Sequence, residues 1–338
     1  MIREPRDWPS GRLVRLHHSS DVLRNNVWND PSQRNLMAYL PADHEAHPNR
    51  RYPVIWYLAA FTNSGASIGN WRGFSENLAE RLDRLIGTGA MGPVVVVAPD
   101  CFSSLGGSQY VDSPMVADHD TYIHRELLDF AEQNLPIQAG RDHRAVVGKS
   151  SGGYGALRFG MHHAEHWIAV ESHSGDAPFD ALFRGDFATA AQTLARYDGD
   201  VNRFLRSFWQ ENAPSGNAFH TLMFVCMAAS YDPRPGQAIA LPFDLHTLEL
   251  DEQAWQRWRQ FDPTVEVDRC VDGLKSLSGI FIDVGNRDQY NIHFGSRILH
   301  RKLNAAGIDH RYEEFDGTHS NIDHRLDVSL PYLYEHIQ

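Results

Sequence analysis

Ser150 stands at the centre of Ala145-Val146-Val147-Gly148-Lys149-Ser150-Ser151-Gly152-Gly153-Tyr154-Gly155-Ala156, an apolar run that breaks into glycines around a serine. Gly148, Ser150 and Gly152 match G-x-S-x-G, the nucleophile elbow, in which small flanking residues let a strained strand-to-helix turn lift a hydroxyl clear of a sheet. A serine hydroxyl is a poor nucleophile at neutral pH, so it needs a base within hydrogen-bond reach and an acid to orient that base. Asp288, in Gly285-Asn286-Arg287-Asp288, directly follows the apolar run that ends at Val284. His319, in Asp316-Gly317-Thr318-His319-Ser320, directly follows the run that ends at Phe315. Three reactive groups, each at the carboxyl end of a parallel strand, would converge on one rim of a sheet. Asp283 competes with Asp288 but lies inside its apolar run, and His324 competes with His319 but falls in the following helix. A tetrahedral intermediate also needs two backbone N–H donors. Ser151 supplies one, and the loop Ala59-Ala60-Phe61-Thr62-Asn63-Ser64-Gly65 supplies the other, with Phe61 the first choice and Thr62 the second.

Two rival chemistries use the same residues. Gly148-Lys149-Ser150 spells the end of a phosphate loop, but that motif requires glycine five residues before Gly148, where this chain has His143. His162 and His166 have an i, i+4 metal-ligand spacing, yet no Glu or Cys accompanies them as a ligand or base, so a solvated helix end is the better reading and no metal is expected.

The elements that must position these groups follow from hydrophobic period. Residues 12–17 and 34–40 show partial alternation, as half-exposed strands do. Residues 53–58, 93–98, 144–148, 167–171 and 279–284 are continuous apolar runs, expected of strands covered on both faces. A last strand is read at 311–315. Helical spacing marks 74–86, with Phe74, Leu78, Leu82 and Leu85 on one face, and further helices at 122–133, 153–163, 292–306 and 328–336. Strand and helix alternate from residue 53, which predicts an α/β fold with a doubly wound, mostly parallel sheet. The rhythm stops between residues 175 and 278, where helices are expected at 189–197, 201–210, 219–229 and 251–261. That insertion, about residues 177–265, would form a lid over one domain spanning 1–338. Residues 106–110 and Trp209, Trp255 and Trp258 are candidates for the pocket wall, with core or lid packing the alternative. His173, at the end of a rim strand, is a candidate to support the site from behind.

The chain resembles the "Putative esterase" family of α/β hydrolases, which includes esterase D (S-formylglutathione hydrolase), feruloyl and enterochelin esterases, and the mycolyltransferases. The similarity rests on residues 34–41, 95–100, 148–156, 285–288 and 317–320, and so runs over most of the length. It implies an α/β-hydrolase fold with an eight-stranded sheet, and a triad of Ser150, Asp288 and His319 with Phe61 and Ser151 as oxyanion donors. It also implies a cofactor-independent serine esterase acting on small-molecule carboxylic esters or thioesters. Ala59-Ala60 departs from the family's usual His-Gly or Asp-Gly, and Lys149 stands where histidine is common. An acyltransferase with the same triad and a non-catalytic protein of the same fold are the alternatives.

Composition narrows the partners. Asp and Glu outnumber Lys and Arg by 43 to 31, and the formal charge of −12 opposes a polyanion, so nucleic acid is not an expected ligand. Cys101, Cys226 and Cys270 are too few and too scattered for a disulfide framework or a thiolate zinc site. Residues 1–7 lack the basic-then-apolar pattern of a signal peptide, and no apolar run is long enough to cross a bilayer. A cytoplasmic enzyme is therefore expected, and a homo-oligomer is compatible with the sequence.

Overall fold

Strands buried on both faces need helices on both sides, and the computed structural model, which describes residues 8–338, is arranged in that way. Its eight strands are β1 (Arg12–Ser19), β2 (Gln33–Leu40), β3 (Val54–Leu58), β4 (Val95–Pro99), β5 (Arg144–Lys149), β6 (Ala169–His173), β7 (Gly279–Gly285) and β8 (Arg311–Phe315). They form one sheet in the order β1-β2-β4-β3-β5-β6-β7-β8. Only β2 runs against its neighbours; β4, β3, β5, β6, β7 and β8 are parallel. Residues 1–7, and with them the reading of the N-terminus, lie outside the described residues. Among the described residues, no helix is long and apolar enough to cross a membrane.

Alternation divides the sheet's side chains between two cores. Val54, Trp56 and Leu58 of β3 point to the face covered by helices Leu128–Asn134, Ser151–His162 and Ile292–Ala305. Ile55, Val96 and Val147 point to the other, covered by Leu78–Gly87 and Leu326–Ile337. The chain leaves β3 toward β4 and leaves β5 toward β6, in opposite directions along the sheet, so the loops after β3 and β5 open a crevice between them. That switch point puts residues 59–64 opposite Ser150. At the outer edge, β8 carries Glu313 and Glu314 paired with Arg311 and Arg297, charges that discourage pairing with another strand.

Two expected boundaries move for identifiable reasons. The helix read at 74–86 begins at Leu78, because Asn77 and Glu80 form a reciprocal capping box, and Phe74 is left fully exposed upstream. The strand read at 167–171 becomes Ala169–His173, because its register with β5 and β7 sets Lys149 and Asp283 opposite His173. Residues 175–278 are helical as expected, with helices Phe179–Phe183, Phe187–Ala195, Val201–Gln210, Gly216–Tyr231 and Glu252–Arg259. Their apolar faces share a third core with Tyr154 of the helix after Ser150 and Val284 of β7. Trp255 and Trp258 are packing residues of this core, at 2% and 0% exposure, and do not line the site.

Trp258→Ala removes an indole packed edge-on against Phe183 and Tyr231 at 5.8 and 5.6 Å. It is expected to cost ~3–5 kcal/mol, read as a lower urea midpoint by far-UV circular dichroism. An unchanged midpoint would mean that these helices add nothing to the common core.

Candidate active site

The elbow depends on backbones that touch. A Cβ at residue 148 would collide with the Gly152 carbonyl, and a Cβ at residue 152 would collide with the Leu58 carbonyl at the end of β3. Glycine at both positions lets the helix Ser151–His162 start directly against the ends of β3 and β5. Ser150, between them, takes φ +56° and ψ −124°, a strained conformation for a non-glycine residue. Its N–H donates to the His173 carbonyl at 2.9 Å, and its carbonyl accepts from Tyr154 N–H at 2.8 Å, so both backbone groups are tied down.

The loops after β7 and β8 are joined in the same way. Gly285 lies so close to Gly317 that no side chain fits between them, and Arg287 N–H donates to the Gly317 carbonyl at 2.9 Å. Asp288 Oδ1 accepts from Tyr290 N–H at 2.8 Å, and Asp288 Oδ2 lies 2.8 Å from His319 Nδ1. A carboxylate only accepts, so Nδ1 carries the proton and Nε2 presents a lone pair. Tyr290 packs edge-on against the imidazole at 4.9 Å, and Gln289 Oε1 accepts from His319 N–H at 2.9 Å. Ser150, His319 and Phe61 line one cavity of about 320 Å³, and Asp288 sits buried behind His319.

Opposite the elbow, Tyr110 OH donates to the Ala59 carbonyl at 2.6 Å, and the Phe61 ring lies against Gly106 and Gly107. Thr62 N–H donates to the Gly106 carbonyl at 2.8 Å. That proton is spent on the loop and is not free to face the cavity. Residues 106–110 thus brace the site from behind, while Trp209 lies outside the cavity, with its indole N–H held by the Ser104 carbonyl.

A family model described as "Putative esterase" matches residues 31–329. The chain belongs to this family. Esterase Rv1288 of Mycobacterium tuberculosis is 30% identical over 143 residues, a match that takes in 41% of this chain and 28% of that relative. The chain therefore spans less than a third of that curated relative's length. Among solved structures, a ferulic acid esterase superposes with a TM-score of 0.65 at 19% identity, over 96% of this chain and 98% of its own. An S-formylglutathione hydrolase from Agrobacterium tumefaciens gives 0.58 at 16% identity, over 100% and 99%. At such low identity these likenesses establish the shared α/β-hydrolase fold.

In this esterase-family chain, Asp283, the rival acid, is engaged elsewhere. It meets His173 Nδ1 at 2.5 Å and Arg325 Nε at 2.7 Å, while His173 Nε2 bonds Ser329 Oγ at 2.9 Å. The single Nδ1 proton goes to Asp283, which leaves Glu171, 2.9 Å from the same nitrogen, buried without it. Burial pushes the Glu171 carboxyl up to about 8. Burial pulls the His173 imidazolium down, but the facing Asp283 and Glu171 more than offset it and raise it to about 10. The His173 backbone carbonyl accepts from Ser150 N–H, while its side chain belongs to this cluster. The rival base His324 bonds Asn321 at the surface, and His162 pairs with Glu266.

One cavity residue escaped the sequence reading. Asp176 follows β6 as Asp288 follows β7, and that parallel position was the available signal. Its Oδ2 accepts from Gln109 Nε2 at 3.1 Å, and it lines the same cavity as Ser150 and His319.

Gly152→Ala forces the elbow helix away from Leu58 and is expected to slow fluorophosphonate labelling by ~10²-fold or more, as a misplacement of ~1 Å does; labelling at the wild-type rate would contradict the backbone contact. The buried Glu171 and His173 make stability pH-dependent. Both folded-state values lie above the ordinary ones of ~4.3 and ~6.5. Their contributions are therefore complete below those values and are lost as pH rises toward about 8 for Glu171 and about 10 for His173. The melting temperature is expected to fall between pH 6 and 9.5. Glu171→Gln should flatten the part below pH 8, and an unaltered slope there would exclude Glu171 as its source.

Proposed function

We propose that the chain is a serine hydrolase of carboxylic esters or thioesters, with Ser150, His319 and Asp288 as its triad. The observation that carries this reading is one cavity holding Ser150 on a strained elbow and His319 with its Nδ1 proton committed to Asp288. Ser150 Oγ attacks the carbonyl carbon while His319 Nε2 takes its proton, and Asp288 stabilises the resulting imidazolium. The N–H groups of Phe61 and Ser151 receive the oxyanion, and Ser151 adds the positive end of the helix it begins. His319 then protonates the leaving alcohol or thiol, and water, deprotonated by the same nitrogen, releases the acid.

The acyl group is received by an apolar wall of Leu182, Phe183, Met223, Met227 and Ile292. Most of that wall comes from the helices between β6 and β7, which act as a cap on the catalytic rim of a single domain. The cavity suits a short or medium acyl chain, and the names of the structural neighbours make feruloyl esters and S-formylglutathione sensible members of a substrate panel.

Ser150→Ala is expected to lower turnover of p-nitrophenyl butyrate by ~10⁴-fold or more, because nucleophile and base act as a unit. Activity within tenfold of wild type would sink the assignment. Asp288→Asn should cost ~10³–10⁴-fold in kcat by releasing the imidazole tautomer. Asp283→Asn, compared per folded molecule, should cost far less; the reverse ranking would move the acid.

A further inference from the structure

Trp209 lies outside the catalytic cavity and is 54% exposed, although its ring is firmly held. Its N–H donates to the Ser104 carbonyl at 2.9 Å, and Phe102 and Phe208 meet it edge-on at 6.4 and 6.1 Å. Phe208 in turn meets Phe219 edge-on at 5.4 Å. These four rings and Leu222 line a second hollow of about 290 Å³. Thr62 and Phe219 line both this hollow and the catalytic cavity, so the two adjoin.

The helix Gly216–Tyr231 shows which part of an ester reaches the hollow. Phe219, Met223 and Met227 share the face that lines the catalytic cavity, and exposure falls from 40% at Phe219 to 1% at Met227. Met227 therefore marks the closed end, with the buried Phe183 and Ile292, while Phe219 marks the mouth, with the exposed Thr62 and Gly216. An apolar acyl group gains most from burial at the closed end. The alcohol or thiol is then left at the mouth, from which it departs once His319 has protonated it, and where the second hollow opens.

The hollow is built to hold a ring. Apart from Thr62 and Glu211 its side chains are apolar, and the Trp209 donor is already taken, so it offers aromatic surface in place of hydrogen bonds. Glu211, its single charged residue among the described ones, opposes an anionic partner. A neutral aromatic ring buries against Leu222 and packs on the exposed face of the indole.

Resting on the serine-hydrolase reading above, we infer that this hollow is a leaving-group subsite. Trp209 there selects esters and thioesters whose alcohol or thiol carries a neutral aromatic ring on a short tether. The ring docks on Trp209 while the tether passes Thr62 and Phe219 to bring the carbonyl to Ser150.

The test holds the acyl group constant. The butyrates of 2-phenylethanol and 3-phenylpropanol are compared with propyl butyrate; all form the same butyryl-enzyme, so the ratio of kcat/KM values reports only the steps through acylation. The better aryl ester is expected to exceed propyl butyrate about tenfold or more in wild type, the scale of burying one phenyl ring. In Trp209→Ala that ratio should fall about fivefold or more while propyl butyrate itself stays within about twofold, and Trp209→Phe should keep part of the preference. No aryl preference in wild type, or an equal ratio in wild type and Trp209→Ala, overturns the inference. Propyl 4-phenylbutyrate against propyl butyrate reads the acyl side. That ratio should be indifferent to Trp209→Ala; a fall there in place of the alcohol series would give the hollow to the acyl group and overturn the inference as well. Turnover of p-nitrophenyl butyrate without a Trp209-dependent aryl preference sinks this inference alone. Absence of all ester turnover and of fluorophosphonate labelling would sink the serine-hydrolase reading with it.

Discussion

The place where the Leu58 carbonyl occupies the space a side chain at residue 152 would need is the constraint on which the site depends. It brings the end of β3, the end of β5 and the start of a helix into backbone contact, which only glycine permits. The same contact places the loop after β3 opposite Ser150 and so sets the width of the crevice. Strain at Ser150 is tolerated because its N–H and carbonyl are both bonded to neighbours that cannot move independently. A second glycine contact, between residues 285 and 317, fixes the distance between the loops that carry Asp288 and His319. Each half of the site is therefore positioned by backbone proximity, and side-chain packing fills in behind it.

Beneath the rim, the ion cluster of Glu171, His173, Asp283 and Arg325 ties β6 and β7 to the C-terminal helix. Its charges pair within a dry interior, and the helix Leu326–Ile337 supplies Ser329 to close it. Removing one partner would leave another buried and charged, so such a cluster is costly to break even where an apolar replacement of the whole would be tolerated. His173 links the two levels, because its side chain belongs to the cluster while its carbonyl holds Ser150.

What could be read from the sequence was whatever burial or backbone strain imprints on composition. Strands covered on both faces must be continuously apolar, so β3, β4, β5 and β7 were legible, and the glycines around Ser150 announced a turn that other residues cannot make. Asp288 was legible because it follows such a strand, whereas His319 follows the short, charged edge strand β8 and was marked by the Asp-Gly-Thr turn before it. Helix starts were less so: Phe74 fits the apolar spacing, yet the capping box at Asn77 and Glu80 decides where the helix begins. Both capping residues were visible, and the local signal outweighs the period. Trp255 and Trp258 were ambiguous because a wall and a core attract the same side chains, and only the packing of the inserted helices separates them.

Asp176 marks a different limit. Its partner Gln109, and Tyr231 behind that, come from distant parts of the chain and meet only when the inserted helices close over the loop after β4. A carboxyl after a strand reads as a turn former until the fold places it in the cavity that Ser150 lines. Gln109, Tyr231 and a left-handed backbone at residue 109 all serve to keep that carboxyl where it is.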